Sequence, residues 1–273
     1  MNARFSNRFG YTPSEKEIAI REDAPLGLRQ FIVQLVYDCG YQPSFCRRII
    51  CRVLSITPDR NNWTEYPNIE YEASQLIEEC DWFFVYDIIE AFGNAIDTNY
   101  REEFQDDLNL YFKQSGIGWK IEYGSIEYRG AEEFETAIKQ VETVLETAKL
   151  ETAKTEIKEA IHDLSRRPVP DITGAIQHSL ACLECASREI TGDKKATLGD
   201  IIKKHPGIVP RPLDLAIEKI WGYSSEQGRH LREGLIPNFD EAELVVGLTA
   251  TIAIYLGKKL GGKIENKDAD FPF

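Results

Sequence analysis

Residues 118–148, GWKIEYGSIEYRGAEEFETAIKQVETVLETA, contain the change of pattern that divides this chain into two predicted parts. In the first half of the stretch, short alternating runs of apolar and polar residues flank Tyr123-Gly124-Ser125, which predicts a β-hairpin. After Gly130 the apolar residues recur at the spacing of an amphipathic helix. We therefore predict a domain boundary at this glycine, with one domain over residues 1–129 and another over 130–273.

The N-terminal part is predicted to be helical up to the hairpin. The segment APLGLRQFIVQLVYDCG (24–40) places apolar residues on one helical face and stops at Gly40, which suits the left-handed turn after a helix. PSFCRRIICRVLS (43–55) repeats the pattern after a proline and a serine, which favour helix starts. Turn-forming residues predict a loop over 58–68. Further helices are predicted over 68–80, 81–96 and 101–116.

The C-terminal part is predicted to be a helical bundle. The two prolines of SRRPVPD (165–171) end one helix, and Asp171 is suited to cap the next. The predicted fold class is therefore mainly α, with an N-terminal helical domain that ends in a small β-hairpin and a C-terminal helical bundle. The predicted helices of the bundle cover residues 131–148, 151–164, 171–190, 197–203, 211–223 and 239–259.

The charge of the chain limits its contact with nucleic acid. A net charge of −13 argues against a broad electrostatic grip on phosphate, because that affinity comes from clustered lysine and arginine. Any RNA contact, for example with a tRNA, is therefore expected to be local. The candidate basic positions are Arg166, Arg167, Lys194, Lys195, Lys203 and Lys204.

The cysteines predict reduced thiols rather than a disulfide framework or a metal site. All six lie in apolar, periodic segments. Cys182 and Cys185 have metal-like spacing, but zinc needs two more ligands, so core packing is favoured and we expect neither metal nor cofactor. The first residues lack an apolar signal-peptide core, and the longest apolar run, 244–256, is too short for a bilayer. A cytoplasmic protein without membrane contact is expected.

The polar stretch SSEQGRHLREG (224–234) is the candidate catalytic segment. It concentrates Glu226, Arg229, His230 and Arg232 within a few residues. A histidine can move a proton near neutral pH, and an arginine can stabilise charge on a phosphate in the transition state. Neighbours in a regular helix point about 100° apart, so Arg229 reaches the same phosphate only from an irregular turn or from a second subunit. From residue chemistry alone, a helix cap or a salt bridge is the favoured alternative.

Two other features have both a functional and a structural interpretation. In NNWTEYPN (61–68), Trp63 and Tyr66 can stack on a base or a sugar, although loop aromatics more often seal the edge of a core. The cluster Arg47, Arg48 and Arg52 can meet phosphate, but a solvated or salt-bridged face is favoured in an acidic domain. His178 is interpreted as a satisfied core or interface histidine.

Long segments of the chain resemble a known family. DLSRRPVPDITGAIQHSLACLECASREITGDKKATLGDIIKKHPG, KIWGYSSEQGRHLREG and FDEAELVVGLTATIAIYL resemble the HEPN-type helical domains of abortive-infection proteins. RFSNRFGYTP, REDAPLGLRQFI, NNWTEYPNIEYE and LNLYFKQSGIGWKIEYGSIEYRG resemble the N-terminal domain of the AbiJ-like branch of that group. Together these segments cover most of the chain.

The resemblance implies a prokaryotic antiphage effector, a toxin whose HEPN bundle forms a homodimer and cleaves RNA without a metal. In that reading His230 is the general acid or base, Arg229 stabilises the phosphate, and Glu226 or Arg232 orients them. Catalytic members of the family have several residues between the arginine and the histidine, whereas Arg229 directly precedes His230. The alternative is a non-catalytic dimer scaffold that binds RNA, a ligand or a protein partner, and a phage component is the expected trigger.

Overall fold

The chain consists of two compact units, residues 1–129 and 130–273, which are described separately. The computed structural model describes residues 5–9, 15–229 and 237–268. Both units are built from α-helices, and one antiparallel hairpin lies at the end of the first unit. The predicted mainly α class with a small β-hairpin is confirmed.

The helices of the first unit follow the apolar periodicity of the sequence. Gly40 has a φ of +87°, as its predicted place after a helix requires. A single turn of π-helix, Glu65–Ile69, lies at the end of the predicted loop. The last helix begins earlier than predicted, because the Asp97 carboxylate accepts a 3.0 Å hydrogen bond from the Asn99 amide. The helices are α1 (Phe5–Arg8), α2 (Leu26–Asp38), α3 (Pro43–Val53), α4 (Glu70–Glu79), α5 (Trp82–Ala95) and α6 (Thr98–Ser115).

A buried arginine joins α2 to the end of α4. The Arg29 side chain is 8% exposed and donates to the carbonyls of Ile77 (2.7 Å), Glu78 (3.1 Å) and Cys80 (2.7 Å). Its Nε also donates to the carbonyl of Ala24 at 2.7 Å. The last carbonyls of a helix have no partner within the helix, so this guanidinium satisfies them and is itself satisfied.

The hairpin pairs β1 (Trp119–Glu122) with β2 (Ser125–Tyr128). Its two-residue turn has positive φ at Tyr123 (50°) and Gly124 (84°), which matches the twist of the strands. Arg21 fixes the hairpin to the chain before α2, because it donates to the carbonyl of Gly118 at 2.8 Å and lies 4.2 Å above the Tyr128 ring.

Four helices of the second unit pack in a closed ring. α7 (Glu132–Thr147) contacts α8 (Glu151–Ser165), α8 contacts α9 (Ile172–Thr191), and α9 contacts α12 (Phe239–Asp268), which returns to α7. The short α10 (Leu198–Lys204) and the longer α11 (Leu213–Arg229) pack on α9. The Asp171 carboxylate caps α9 with a 2.8 Å bond from the Gly174 amide, as predicted.

Glycines allow α12 to lie close to α7. A Cβ atom on Gly257 would lie 2.4 Å from Cγ1 of Val144, and one on Gly247 would lie 3.4 Å from the ring of Phe134. Side chains at these positions would hold the two helices apart. Between the glycines, Ala250 and Ala253 are fully buried.

We expect Gly257→Ala to destabilise the protein. Either Val144 must change its rotamer or α12 must shift, at about 1–3 kcal/mol, which exceeds the ~1 kcal/mol that alanine gains over glycine inside a helix. Gly222→Ala in α11 is the matched control, because no atom lies within 4 Å of its Cβ position. Urea denaturation should show a lower free energy of unfolding for Gly257→Ala and an equal or higher one for the control. Equal stabilities would contradict the close approach.

Candidate functional site

The candidate segment, residues 224–234, includes the last six residues of α11 and the residues that follow them in the sequence. The prediction that this helix ends at residue 223 is wrong, since α11 continues through Arg229. Glu226 and Arg229 are therefore three positions apart in one helix, and the structure describes their backbone but not their side chains. His230 and Arg232 lie outside the described residues. Arg229, the first residue of the candidate catalytic pair, is thus the last residue of α11.

Hydrogen bonds tie the two helices together beside the segment. Asn238 and Glu241 cap α12 reciprocally, because the Glu241 amide donates to the Asn238 side chain and the Asn238 amide donates to Glu241 Oε2, both at 2.9 Å. The Tyr223 hydroxyl of α11 donates to the same Oε2 at 3.3 Å. Burial and the Glu241 carboxylate raise the pKa of Tyr223, so the hydroxyl stays protonated and remains a donor.

Trp221 positions α11 against α10. A Cβ atom on Gly199 would lie 3.2 Å from the Trp221 indole nitrogen, so glycine permits this close contact. At the start of α11, the carboxylate of Asp214 is 3.4 Å from the Arg211 guanidinium. α11 is thus held against α10 by Trp221 and tied to the start of α12 by Tyr223.

A histidine–carboxylate cluster lies elsewhere in this unit. Nδ1 of His178 is 2.7 Å from Glu156, and its Nε2 is 3.8 Å from Asp163. Asp163 is 2% exposed and also lies 3.0 Å from Arg166. Burial raises the pKa of Asp163, while the neighbouring Arg166 opposes that shift. The interpretation of His178 as a satisfied histidine is therefore correct, although its partners lie on α8 rather than on its own helix.

The net charge of this cluster does not favour a phosphate site. Three carboxylates, those of Glu156, Asp163 and Asp171, face one guanidinium, that of Arg166, and the His178 imidazole. The Arg166 guanidinium is shared between two of the carboxylates, since it also lies 3.3 Å from Asp171. These contacts join α8 to α9. They also occupy the hydrogen-bond donors that an anion would need.

The two candidate ligand-binding rings of the first unit are exposed. Trp63 is 79% and Tyr66 is 54% exposed, contrary to the interpretation that they seal the edge of the core. Arg47, Asn62 and Trp63 line one open depression with the loop around Pro58. A base or a sugar therefore has access to the face of at least the Trp63 ring.

A partly buried ion pair holds the loop that carries Trp63. Arg47 lies 2.9 Å from Glu72 and donates to the carbonyl of Asn62 at 2.9 Å, as the salt-bridged interpretation of the arginine cluster predicts. Burial alone would raise the pKa of Glu72, but hydrogen bonds from the Asp59 amide, Asn62 and Arg47 outweigh it and lower this pKa. The loop therefore presents an exposed aromatic ring on a fixed backbone.

The cysteines fit the predicted core packing in part, since Cys39, Cys80 and Cys185 are only half-buried. All six are free thiols, and Cys46, Cys51 and Cys182 are buried. Burial raises the pKa of Cys46 to about 12 and raises that of Cys182 as well, so neither is a ready thiolate. Within residues 5–9, 15–229 and 237–268, no three histidine, cysteine or acidic side chains are grouped to hold a metal ion. In the same ranges, every helix is too short or too polar to cross a membrane.

Comparison with known proteins identifies the family. The family model described as AbiJ N-terminal domain 4 matches residues 3–144, which is more than half of the 273 residues. The chain belongs to this family, whose AbiJ domain is associated with abortive infection, a form of antiphage defence. The match continues past the hairpin through most of α7. Searches of curated proteins and of solved structures found no match.

Glu72→Gln should release the loop around Trp63. The amide keeps the size of the side chain but loses the charge that pairs with Arg47, so we expect trypsin to cut after Arg60 several times faster. Glu78→Gln on the same helix is the control, because Glu78 accepts from the exposed Gln30 amide. Peptide mapping of a timed digest measures the rate at each site.

Acid should have the same effect on the wild-type loop. The folded pKa of Glu72 lies below its ordinary value of 4.5, so its stabilisation is present above pH 4.5 and is lost as the pH falls through the folded pKa. The protection of residues 57–64 against hydrogen exchange, measured across that range relative to the intrinsic rate at each pH, should fall in the wild type and change less in Glu72→Gln. An equal loss of protection in both proteins would contradict the role of this carboxylate.

Proposed function

We propose that the chain is an antiphage abortive-infection effector whose second unit is a HEPN-type bundle that cleaves RNA without a metal ion. The family match supports the defence role. The ring of α7, α8, α9 and α12 supports a four-helix bundle of the HEPN kind. The catalytic part rests on Arg229, which is the last residue of α11, with His230 next in the sequence and the capped start of α12 following at Asn238.

The proposed reaction is an internal transesterification of RNA. The ribose 2′-hydroxyl attacks the neighbouring phosphorus and loses its proton to one His230 as general base. The bond from phosphorus to the 5′-oxygen breaks, and a protonated His230 of a second copy supplies the proton to that leaving oxygen. The products are a 2′,3′-cyclic phosphate and a 5′-hydroxyl. Arg229 stabilises the charge on the phosphate, and Glu226 or Arg232 orients the pair.

A local basic surface supports contact with RNA in this acidic chain. Lys204, His205 and Lys259 line one open groove of the second unit. Lys204 lies 3.6 Å from Asp193, and Lys259 donates to the carbonyls of Gly207 (2.7 Å) and Ile208 (2.9 Å). These partners fix the ammonium groups without fully neutralising the groove. Since both ion pairs and phosphate contacts weaken in salt, RNA affinity should fall as salt rises.

A second candidate function is a non-catalytic one. Here the first unit binds a phage-derived component or another ligand through Trp63 and Tyr66, and the HEPN-like bundle is a dimer scaffold. The observation that favours it is the exposure of both aromatic rings on a loop that Arg47 and Glu72 hold in place. Rigid exposed aromatic side chains are effective binding groups, because little conformational entropy is lost when a ligand stacks on them.

The nuclease proposal predicts that His230→Ala abolishes cleavage of cellular RNA. Arg229→Ala should lower the rate about 100- to 1,000-fold, as expected when one group that stabilises transition-state charge is lost. Activity should resist EDTA, and the fragments should end in cyclic phosphates. His162→Ala, an exposed histidine of α8, is the control and should cleave normally. Undiminished cleavage by His230→Ala, or inhibition by EDTA, would exclude this site.

The scaffold proposal predicts a different pattern in infected cells. Trp63→Ala and Tyr66→Ala should lose protection against phage, because each stacking contact contributes about 1–3 kcal/mol to binding. His230→Ala should still protect. Tyr100→Ala on α6 is the control, since this ring is also exposed at 45%. Plaque counts distinguish the two proposals: protection that depends on His230 and not on Trp63 would exclude the scaffold function.

A further inference from the structure

The loop after α3 presents an arginine and a tryptophan on a fixed β-turn. The turn runs from Asp59 to Asn62, since the Asn62 amide donates to the Asp59 carbonyl at 3.2 Å. The Asp59 carboxylate strengthens it by accepting from the Asn61 amide at 2.9 Å. Arg60 and Asn61 are the two central residues, and Trp63 follows the turn directly. We call these five residues the Trp63 turn.

Two side chains of neighbouring helices hold the Trp63 turn at both of its ends. Glu72 of α4 accepts from the Asp59 amide at 2.7 Å and from the Asn62 side chain at 3.0 Å. Arg47 of α3 donates to the carbonyls of the same two residues, at 3.3 Å and 2.9 Å. Because these bonds fix the backbone in advance, a ligand that binds the turn does not have to order it.

The side chains of Arg60 and Trp63 are available to a ligand. Both are exposed, and in the part of the chain that the structure describes neither has a hydrogen-bond, ion-pair or ring partner. Both line one open depression together with Arg47, Thr57 and Asn62. Its volume of about 510 Å³ lies within the range of small-molecule sites, ~300–1,000 Å³.

The spacing of Arg60 and Trp63 suits a base that is joined to a phosphate. Consecutive Cα atoms are about 3.8 Å apart, so the Cα atoms of these two residues are at most about 11 Å apart. An indole ring offers a face on which a base stacks, and a guanidinium binds phosphate through parallel hydrogen bonds. In a nucleoside 5′-phosphate one ribose joins the two groups, so a single small molecule reaches both side chains.

We infer that the depression at the Trp63 turn binds a free purine nucleoside monophosphate. The base stacks on Trp63, and a purine covers more of the indole than a pyrimidine does. The phosphate pairs with Arg60. The Asn62 side chain donates to Glu72 through its Nδ2, so its Oδ1 is left to accept from an amino group of the base. This inference rests on the second proposed function, in which Trp63 binds a ligand, and it names the class of that ligand.

The charge around the turn favours one nucleotide over a nucleic-acid strand. Residues 1–129 contain 13 lysines and arginines and 21 acidic residues, a net charge of −8. A strand is bound by many cations along its backbone. Among the described residues that line the depression, Arg47 is paired with Glu72, which leaves Arg60 as the exposed cation. The carboxylate of Asp59, which also lines the depression, repels further phosphate groups.

Isothermal titration calorimetry of the full chain with adenosine 5′-monophosphate tests the stacking end. We expect a Kd below about 1 mM at low salt. Trp63→Ala should raise the Kd about 5- to 150-fold, as the loss of one base–aromatic stack implies. Trp63→Phe should keep most of the affinity, because it keeps an aromatic face, and circular dichroism checks that each variant is folded. A wild-type Kd above about 1 mM, or unchanged binding by Trp63→Ala, would overturn the inference.

Arg60→Ala tests the phosphate end. It should raise the Kd for adenosine 5′-monophosphate at least about tenfold and leave that for adenosine unchanged, because adenosine has no phosphate. Arg52→Ala is the matched control, since Arg52 is an exposed arginine of α3, and it should bind both molecules as the wild type does. An equal loss for both molecules, or no loss for either, would contradict the assignment of Arg60.

A short single strand of adenylate tests the choice of a free nucleotide. It should bind no more tightly than the monophosphate, because the turn has one exposed cation, and tighter binding of the strand would overturn that choice. The outcome is also separate from that of the second proposed function. If the monophosphate does not bind while Trp63→Ala loses protection against phage, this inference alone fails. If it binds through Trp63 and Arg60 while Trp63→Ala still protects, the site stands and the second proposed function fails.

Discussion

The close packing of α12 against its neighbours is the constraint on which the second unit depends. Because Gly247 and Gly257 have no side chains, α12 can lie close to α7. The alanines between them have small side chains, which allow the same close approach. Helix packing at this distance leaves little freedom to rotate α12 about its axis, because core side chains on one face must fit those of α7 and α9. The opposite face is thereby fixed as well, and it presents Leu244, Leu248 and Tyr255 to solvent.

The first unit uses a different device, the satisfaction of buried guanidinium groups by main-chain carbonyls. Arg29 satisfies the last carbonyls of α4. Arg129, which is 2% exposed, donates twice to the carbonyl of Ile117 and pairs with Glu15. A buried cation without partners would be strongly destabilising, so these contacts require a defined backbone around each arginine. The same rigidity extends to the loop of Trp63, where Arg47 and Glu72 act similarly at partial burial.

Much of this fold could be predicted from the sequence, because the buried apolar residues of a helix recur at a regular spacing along the chain. The bounds of α7, α8 and α9 lie within one or two residues of the prediction, and the hairpin turn was marked by glycine. The end of α11 was not predictable in the same way. Residues after Tyr223 are polar and lack an apolar period, and polarity alone does not distinguish a solvated helix from a loop. The helix continues there without a proline to stop it.

The candidate site was less accessible, because its geometry depends on contacts distant in sequence. His178 illustrates the limit: its carboxylate partners lie 15 and 22 residues away on α8, and no helical spacing links them to it. The role of Arg29 could not be predicted either, because in the sequence it is a single charged residue within an apolar helical pattern. In contrast, Arg229 and His230 were selected as candidates by local residue chemistry and by resemblance. Neither argument tells how far apart the two side chains lie.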